Sequence, residues 1–172
     1  MKTRNLLSFI LLSFFFIVAC SGEQESVNDN AQSAPSFSLQ TLEGKTLTLE
    51  DYKGKVLLLN IWDTWCPPCI MEIPHFIEIY DEYEKEGFEI LGVAVARDGR
   101  DAVEKFVKDH KINYPIAYAT QELFNSYGPI SGIPTSFLID KKGRIVEKYI
   151  GMPGQSPDAV KQVLLDEVKP LL

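Results

Sequence analysis

The chain has 172 residues, room for one ordinary domain and little else. Its 45% hydrophobic and 24% charged residues are those of a globular protein and exclude a disordered or collagen-like chain. Formal charge is −7; with Lys2 and Arg4 set aside as part of a leader, the 17 basic residues fall to 15 against 24 acidic ones, a balance that repels phosphate backbones and argues against nucleic-acid binding.

Lys2 and Arg4 open the chain, and Leu6 to Val18 is apolar apart from Ser8 and Ser13. That core has the length of a signal-peptide core and falls short of the roughly 20 residues a membrane-spanning helix needs. It runs into Ile17-Val18-Ala19-Cys20, which resembles a bacterial lipobox, whose cysteine receives lipid before cleavage in front of it. The chain has three cysteines, two of them a close pair, and lipid on Cys20 accounts for the odd one. An uncleaved anchor with an incidental cysteine is the alternative. Ser21 stands where that pattern's acidic inner-membrane retention signal would be, so which membrane holds the protein stays open. Residues 1–19 are thus read as a signal peptide and 20–34 as the lipidated cysteine with a polar, flexible tether. The folded domain is read as 35–172, starting at Pro35.

Phe37 and Leu39 alternate with serines, and Thr46 to Leu49 alternates again across the turn at Glu43-Gly44, which predicts a hairpin. Val56 to Trp62 is almost wholly apolar, the mark of a central strand covered on both faces. From Pro67 the pattern turns helical, with Ile70, Ile73, Ile77 and Tyr80 at spacings of three or four, and continues through Pro74 to Tyr83. Phe88 to Ala96 reads as a second buried strand, Asp101 to His110 as an amphipathic helix, and Tyr114 to Ala117 as a short strand. Leu123 to Tyr127 is a helical turn closed by Gly128. Thr135 to Ile139 and Ile145 to Ile150 form a hairpin about Lys142-Gly143, and Pro157 to Leu171 is a closing helix. This order predicts an α/β domain with a mixed central sheet and helices on both faces.

Trp65-Cys66-Pro67-Pro68-Cys69 falls where the central strand ends and a helix begins. A helix N-terminus offers unpaired N–H groups and a positive dipole end, which favour thiolate over thiol. Cys66 is expected to be exposed and attacking; Cys69, one turn in, is expected to be shielded and to resolve a mixed disulfide. Pro67 and Pro68 cost no helix bonds in a first turn. A purely structural disulfide is an alternative. A zinc site would need two further ligands, for which the chain offers only His75, His110 and acidic residues. No metal and no cofactor beyond the redox-active Cys66–Cys69 pair are expected.

The run from Asn60 to Cys69, followed by Glu72-Ile73-Pro74, resembles the thioredoxin-like proteins of the TlpA/ResA type, which are bacterial, exported and often membrane-anchored. The resemblance extends from about Pro35 to the C-terminus. It implies a thioredoxin fold with an extra N-terminal β-hairpin and a central helix–strand insert. It also implies that Gly132-Ile133-Pro134-Thr135 is a loop with cis Pro134 facing the cysteines, where the backbone of Ile133 pairs with substrate. Glu72, one turn beyond Cys69, is implied near the thiol pair, able to exchange protons with Cys69; a solvated glutamate is the alternative. Two positions depart from related patterns. Thioredoxins proper carry a buried aspartate where Asn60 stands, and Asp63 occupies the place of a small apolar residue. Asp63 could cap the helix, face solvent or raise the thiol pKa. Trp65 is expected as a hydrophobic lip beside Cys66, Trp62 as core and His75 as a surface residue.

These readings predict a membrane-anchored, extracytoplasmic thiol–disulfide oxidoreductase. It is expected to reduce disulfides in exported proteins, with cytochrome c maturation as the role the resemblance suggests. Negative charge at Glu72 and Asp63 motivates the reductive direction. Expected partners are exported cysteine-containing proteins, a membrane electron donor of the thiol–disulfide type, and the membrane itself through Cys20. A thiol peroxidase, a copper-binding chaperone on the same fold and an inactive interaction module are the competing readings.

Overall fold

A computed structural model describes residues 32–172; the expected signal peptide, Cys20 and the expected tether up to residue 31 lie outside the described residues. A six-stranded sheet takes the order β1-β8-β7-β4-β5-β6, and β2 and β3 form a separate hairpin. The strands are β1 (Gln32–Ser33), β2 (Ser38–Gln40), β3 (Thr46–Thr48), β4 (Val56–Trp62), β5 (Phe88–Ala94), β6 (Ile116–Tyr118), β7 (Thr135–Ile139) and β8 (Arg144–Ile150). The helices are α1 (Pro67–Tyr83), α2 (Arg100–Asp109), α3 (Gln121–Ser126) and α4 (Pro157–Val168). The thioredoxin fold is therefore present, with the early hairpin and the α2–β6 insert in the expected places.

β4 is the spine. It pairs parallel with β5 and antiparallel with β7, and all seven of its residues are buried. Val56, Leu58 and Trp62 face a layer built on α1, α2 and α4. Leu57, Leu59 and Ile61 face Leu39 and Leu47 of the hairpin together with Leu123 of α3. Burial on both faces explains why the strand reads as an unbroken apolar run.

Two expectations shift. Gln32 and Ser33, read as the end of the tether, pair with Ile145 and Arg144 of β8, and Ala34 N–H donates to Gly143 C=O at 2.8 Å. Ordered chain thus begins before Pro35, because the exposed edge of β8 offers it a backbone ladder. On α1 the buried residues are Cys69, Glu72, Ile73, Phe76, Ile79 and Tyr83, while Ile70, Ile77 and Tyr80 are only half-buried. The stripe is rotated from the predicted one because α1 packs against α4 as well as the sheet, so apolar residues cover a wide arc of the helix.

Candidate active site

β4 delivers the chain to one pole of the sheet at Trp62, and a three-residue loop, Asp63 to Trp65, leads into α1. Cys66 is the helix N-cap, with extended φ/ψ of −95° and 101°. Pro67 and Pro68 occupy the first turn, where a missing N–H costs nothing. The two sulfurs are bonded at 2.06 Å with Cα atoms 5.3 Å apart. Cys69 N–H donates to Cys66 Sγ at 3.3 Å, so the first cysteine's sulfur already occupies the helix's anion-favouring end.

Cys66 is not exposed as expected: it is 2% accessible and Cys69 is 0%. The sulfur of Cys66 is turned inward by its bond to Cys69, and both cysteines belong to the core cluster with Ile73 and Phe76, against which Ile133 packs. Only the order of access, Cys66 ahead of Cys69, survives, and narrowly.

Glu72 is fully buried, so it is not a solvated helix-face residue. Asn60 Nδ2 donates to Glu72 Oε1 at 2.8 Å and also to Ser136 Oγ at 2.9 Å. Glu72 Oε2 has no hydrogen-bond partner among the described residues. Loss of water around the carboxyl pushes its pKa up to about 8, against which the Asn60 bond pulls only partly back. In the disulfide form the raised value favours the protonated, uncharged carboxyl at neutral pH. In that form Glu72 does not supply the negative charge that the sequence reading placed beside the thiols. Asn60, where thioredoxins proper carry an aspartate, serves as a neutral donor tying α1 to β4 and β7.

The Ile133–Pro134 peptide is cis. Its place follows from register: Ile61 pairs with Thr135, which sets Pro134 level with Trp62 at the pole where the cysteine loop begins. Thr135 Oγ1 donates to Gly132 C=O at 2.7 Å, and Gly151 N–H donates to Pro134 C=O at 2.8 Å. The N–H and C=O of Ile133 take no backbone partner among the described residues. Trp65, Val95, Phe124, Pro129, Ile130 and Ile133 line a groove of about 530 Å³ between this loop and the cysteine loop. Trp65 is 44% exposed, the lip expected, whereas Trp62 is core at 1%.

Asp63 neither caps α1 nor faces solvent: it is fully buried. Its Oδ1 accepts from Thr64 N–H at 2.8 Å. Its Oδ2 accepts from the Trp65 indole N–H at 2.8 Å and from Arg97 N–H at 3.0 Å. Arg97 then lays its guanidinium over the Trp65 ring, 5.1 Å from the centroid. His75 is half-buried, and His110 stacks on Phe106 at 3.7 Å.

The sequence reading missed Asn60 as a donor, Ser136 as its partner and Arg97 as a neighbour of Trp65. An amide inside an apolar strand signals a buried partner, because an unpaired one is costly. Arg97 carries no local signal at all.

The sequence pattern of the AhpC/TSA family matches residues 31–148. The thiol-disulfide oxidoreductase ResA of Bacillus anthracis is 43% identical over 122 residues, covering 70% of this chain and 69% of that protein. ResA of Geobacillus thermodenitrificans (strain NG80-2) is 36% identical over 171 residues, covering 99% of this chain and 95% of its own. Among solved structures, a thioredoxin-family thiol:disulfide interchange protein from Chlorobium tepidum TLS superposes with a TM-score of 0.71 at 34% identity, covering 82% of this chain and 96% of that one.

Proposed function

Because this chain belongs to the AhpC/TSA family and is a thiol–disulfide oxidoreductase of the ResA kind, we propose that it works outside the cytoplasm, reducing disulfides in exported proteins. The observation that carries the reading is the Cys66–Cys69 disulfide closed on a helix N-terminus, with the first sulfur accepting the Cys69 N–H.

The reduced pair acts in two displacements. Cys66 thiolate attacks one sulfur of the substrate disulfide in line; the substrate S–S bond breaks and one substrate thiolate leaves. Cys69 then gives up its proton and attacks Cys66 Sγ, breaking the mixed disulfide and releasing the second substrate thiolate. Two electrons pass to the substrate, and the protein is left as the disulfide. Glu72, one turn beyond Cys69 on α1, takes the Cys69 proton when it enters this step as the carboxylate, and burial lets it keep that proton in the disulfide form. The reductive direction is supported by the contrast between the two cysteines: the helix N-terminus favours only the Cys66 thiolate, whereas Cys69 is wholly buried, so a second charge is disfavoured and the disulfide is the cheaper state of the pair.

Trp65 and the backbone of Ile133 beside Pro134 would receive the substrate segment across the groove. Lipid on Cys20 would hold the domain at a bacterial membrane, on the periplasmic side or at the cell surface. A membrane dithiol would return two electrons each cycle, because the compartment has no reducing pool. Apocytochrome c is the substrate the ResA likeness suggests. Among the described residues no helix is long and apolar enough to cross a membrane.

Trapping with Cys69→Ala tests the reading: Cys66 should hold substrate as a mixed disulfide that mass spectrometry identifies. A chain that, once reduced, passes electrons to no disulfide would end the proposal. A reduction potential as high as roughly −120 mV, that of a strong oxidase, would reverse its direction. Turnover of hydrogen peroxide would favour the thiol peroxidase, and tight stoichiometric copper binding the chaperone.

A further inference from the structure

A carboxylate removed from water is unstable unless donors surround it. Asp63 is surrounded, and its donors come from two separate segments: Thr64 and Trp65 in the cysteine loop, and Arg97 in the loop between β5 and α2. We infer that Asp63 is a positioning residue for substrate binding, which acts by fixing Trp65, the groove wall nearest the cysteines in sequence, against the Arg97 guanidinium that covers its ring.

The geometry is that of a clamp. The indole edge is fixed by Asp63 Oδ2 at 2.8 Å, and the indole face is covered by the Arg97 guanidinium at 5.1 Å. The same oxygen holds Arg97 N–H at 3.0 Å. Arg97 follows Ala96, whose φ of 57° is a left-handed conformation that a residue with a side chain keeps only when its surroundings hold it there. Val95 N–H donates to Trp62 C=O on one side of that turn, and Gly99 N–H donates to Ala96 C=O on the other. An indole 44% exposed would otherwise sample several rotamers. Held still, it gives up no rotamer freedom when substrate arrives, so the clamp strengthens binding without touching the reacting sulfurs. The wall continues into Val95, Phe124, Ile130 and Ile133. The substrate that gains is a protein disulfide with an apolar side chain beside the attacked cysteine.

The inference rests on the disulfide-exchange reading, and a four-enzyme comparison separates the two. A disulfide-bonded peptide with phenylalanine beside its cysteine is reduced by wild type, Asp63→Ala, Trp65→Phe and the double variant. Asp63→Ala should raise KM roughly tenfold, with kcat changing much less, as expected for the loss of a charge-assisted hydrogen bond. In the Trp65→Phe background the same change should add less than about twofold, since the residue through which Asp63 acts has lost its N–H. Asp63→Asn keeps an oxygen for the indole and for Arg97 N–H, removes the charge and gives up only the Thr64 N–H bond, which does not reach Trp65 or Arg97; its KM should stay within about threefold of wild type. It also covers the case in which Asp63→Ala does not fold. Time-resolved anisotropy, with Trp65→Phe giving the Trp62 share, should show fast indole motion only in Asp63→Ala. Additive losses in the cycle overturn the inference. So does a shifted reduction potential with an unmoved KM, or an Asp63→Asn variant as impaired as a folded Asp63→Ala. An inactive wild type overturns the disulfide-exchange reading and this inference with it.

Discussion

Asn60 on the central strand and Glu72 on the first helix are joined by a 2.8 Å hydrogen bond, and the same amide donates to Ser136 on the neighbouring strand. One neutral side chain therefore links the helix that carries the cysteines to the strand that follows Pro134. It also leaves the carboxyl as the one acid of the pair.

Glu72 makes stability depend on pH in a direction opposite to most carboxylates. Its pKa is about 8 in the folded chain against an ordinary 4.5, so between those values the folded state binds more protons than the unfolded one. The stabilisation is complete below pH 4.5 and is lost as pH rises through 8, on the order of 5 kcal/mol in all. Urea unfolding of the oxidised protein should give a smaller free energy at pH 9 than at pH 5. Glu72→Gln should remove most of that difference. A wild type and variant with parallel pH profiles would contradict the raised pKa.

Removing the amide tests the other half of the pair. Asn60→Ala leaves Glu72 Oε1 and Ser136 Oγ without their donor, at a cost of roughly 1–3 kcal/mol. Because that bond favours the charged form, Glu72 should then titrate still higher. Difference infrared spectroscopy of the carboxyl band reads this directly, and a downward shift would be inconsistent with the assigned geometry.

Access to the two sulfurs should differ once the disulfide is opened. Cys66 is the N-cap and Cys69 lies within the helix, so iodoacetamide should label Cys66 about tenfold or more faster after reduction. Peptide mapping over a time course gives both rates. Equal labelling would remove the division of labour between attacking and resolving sulfurs.

Behind the site, Gly92 is the β5 residue opposite Asn60. A methyl group there would lie 2.5 Å from Ile116 Cδ1, 3.1 Å from Trp62 Nε1 and 3.3 Å from Tyr114 Cε2. Gly92→Ala should therefore destabilise the domain by roughly 1–3 kcal/mol through overpacking. Denaturant titration measures it, and an unchanged midpoint would mean that Ile116 and the two aromatic side chains yield freely.

Much of this was legible in the chain because it is written locally. The apolar run of Val56 to Trp62, the prolines at 67 and 68 and the Lys142-Gly143 turn each specify an element without distant partners. The rotation of α1 was not legible, since Glu72 sits on the buried face and a polar letter breaks the apolar stripe. Nor was the Asp63 clamp, because its donors Trp65 and Arg97 are brought together by the tertiary path of the β5–α2 loop. The cysteine pair could be read at once; the burial that sets the chemistry of Glu72 is a property of the assembled layers.

The link from Asn60 to Ser136 spans 76 residues of sequence, whereas Cys66 and Cys69 are separated by three. During synthesis the two thiols can meet long before β7 exists to dock against β4. An emerging chain is then a loose dithiol, open to any oxidant, before it is an enzyme. The order in which its parts become available favours closing the sulfur bridge first and completing its polar surroundings last.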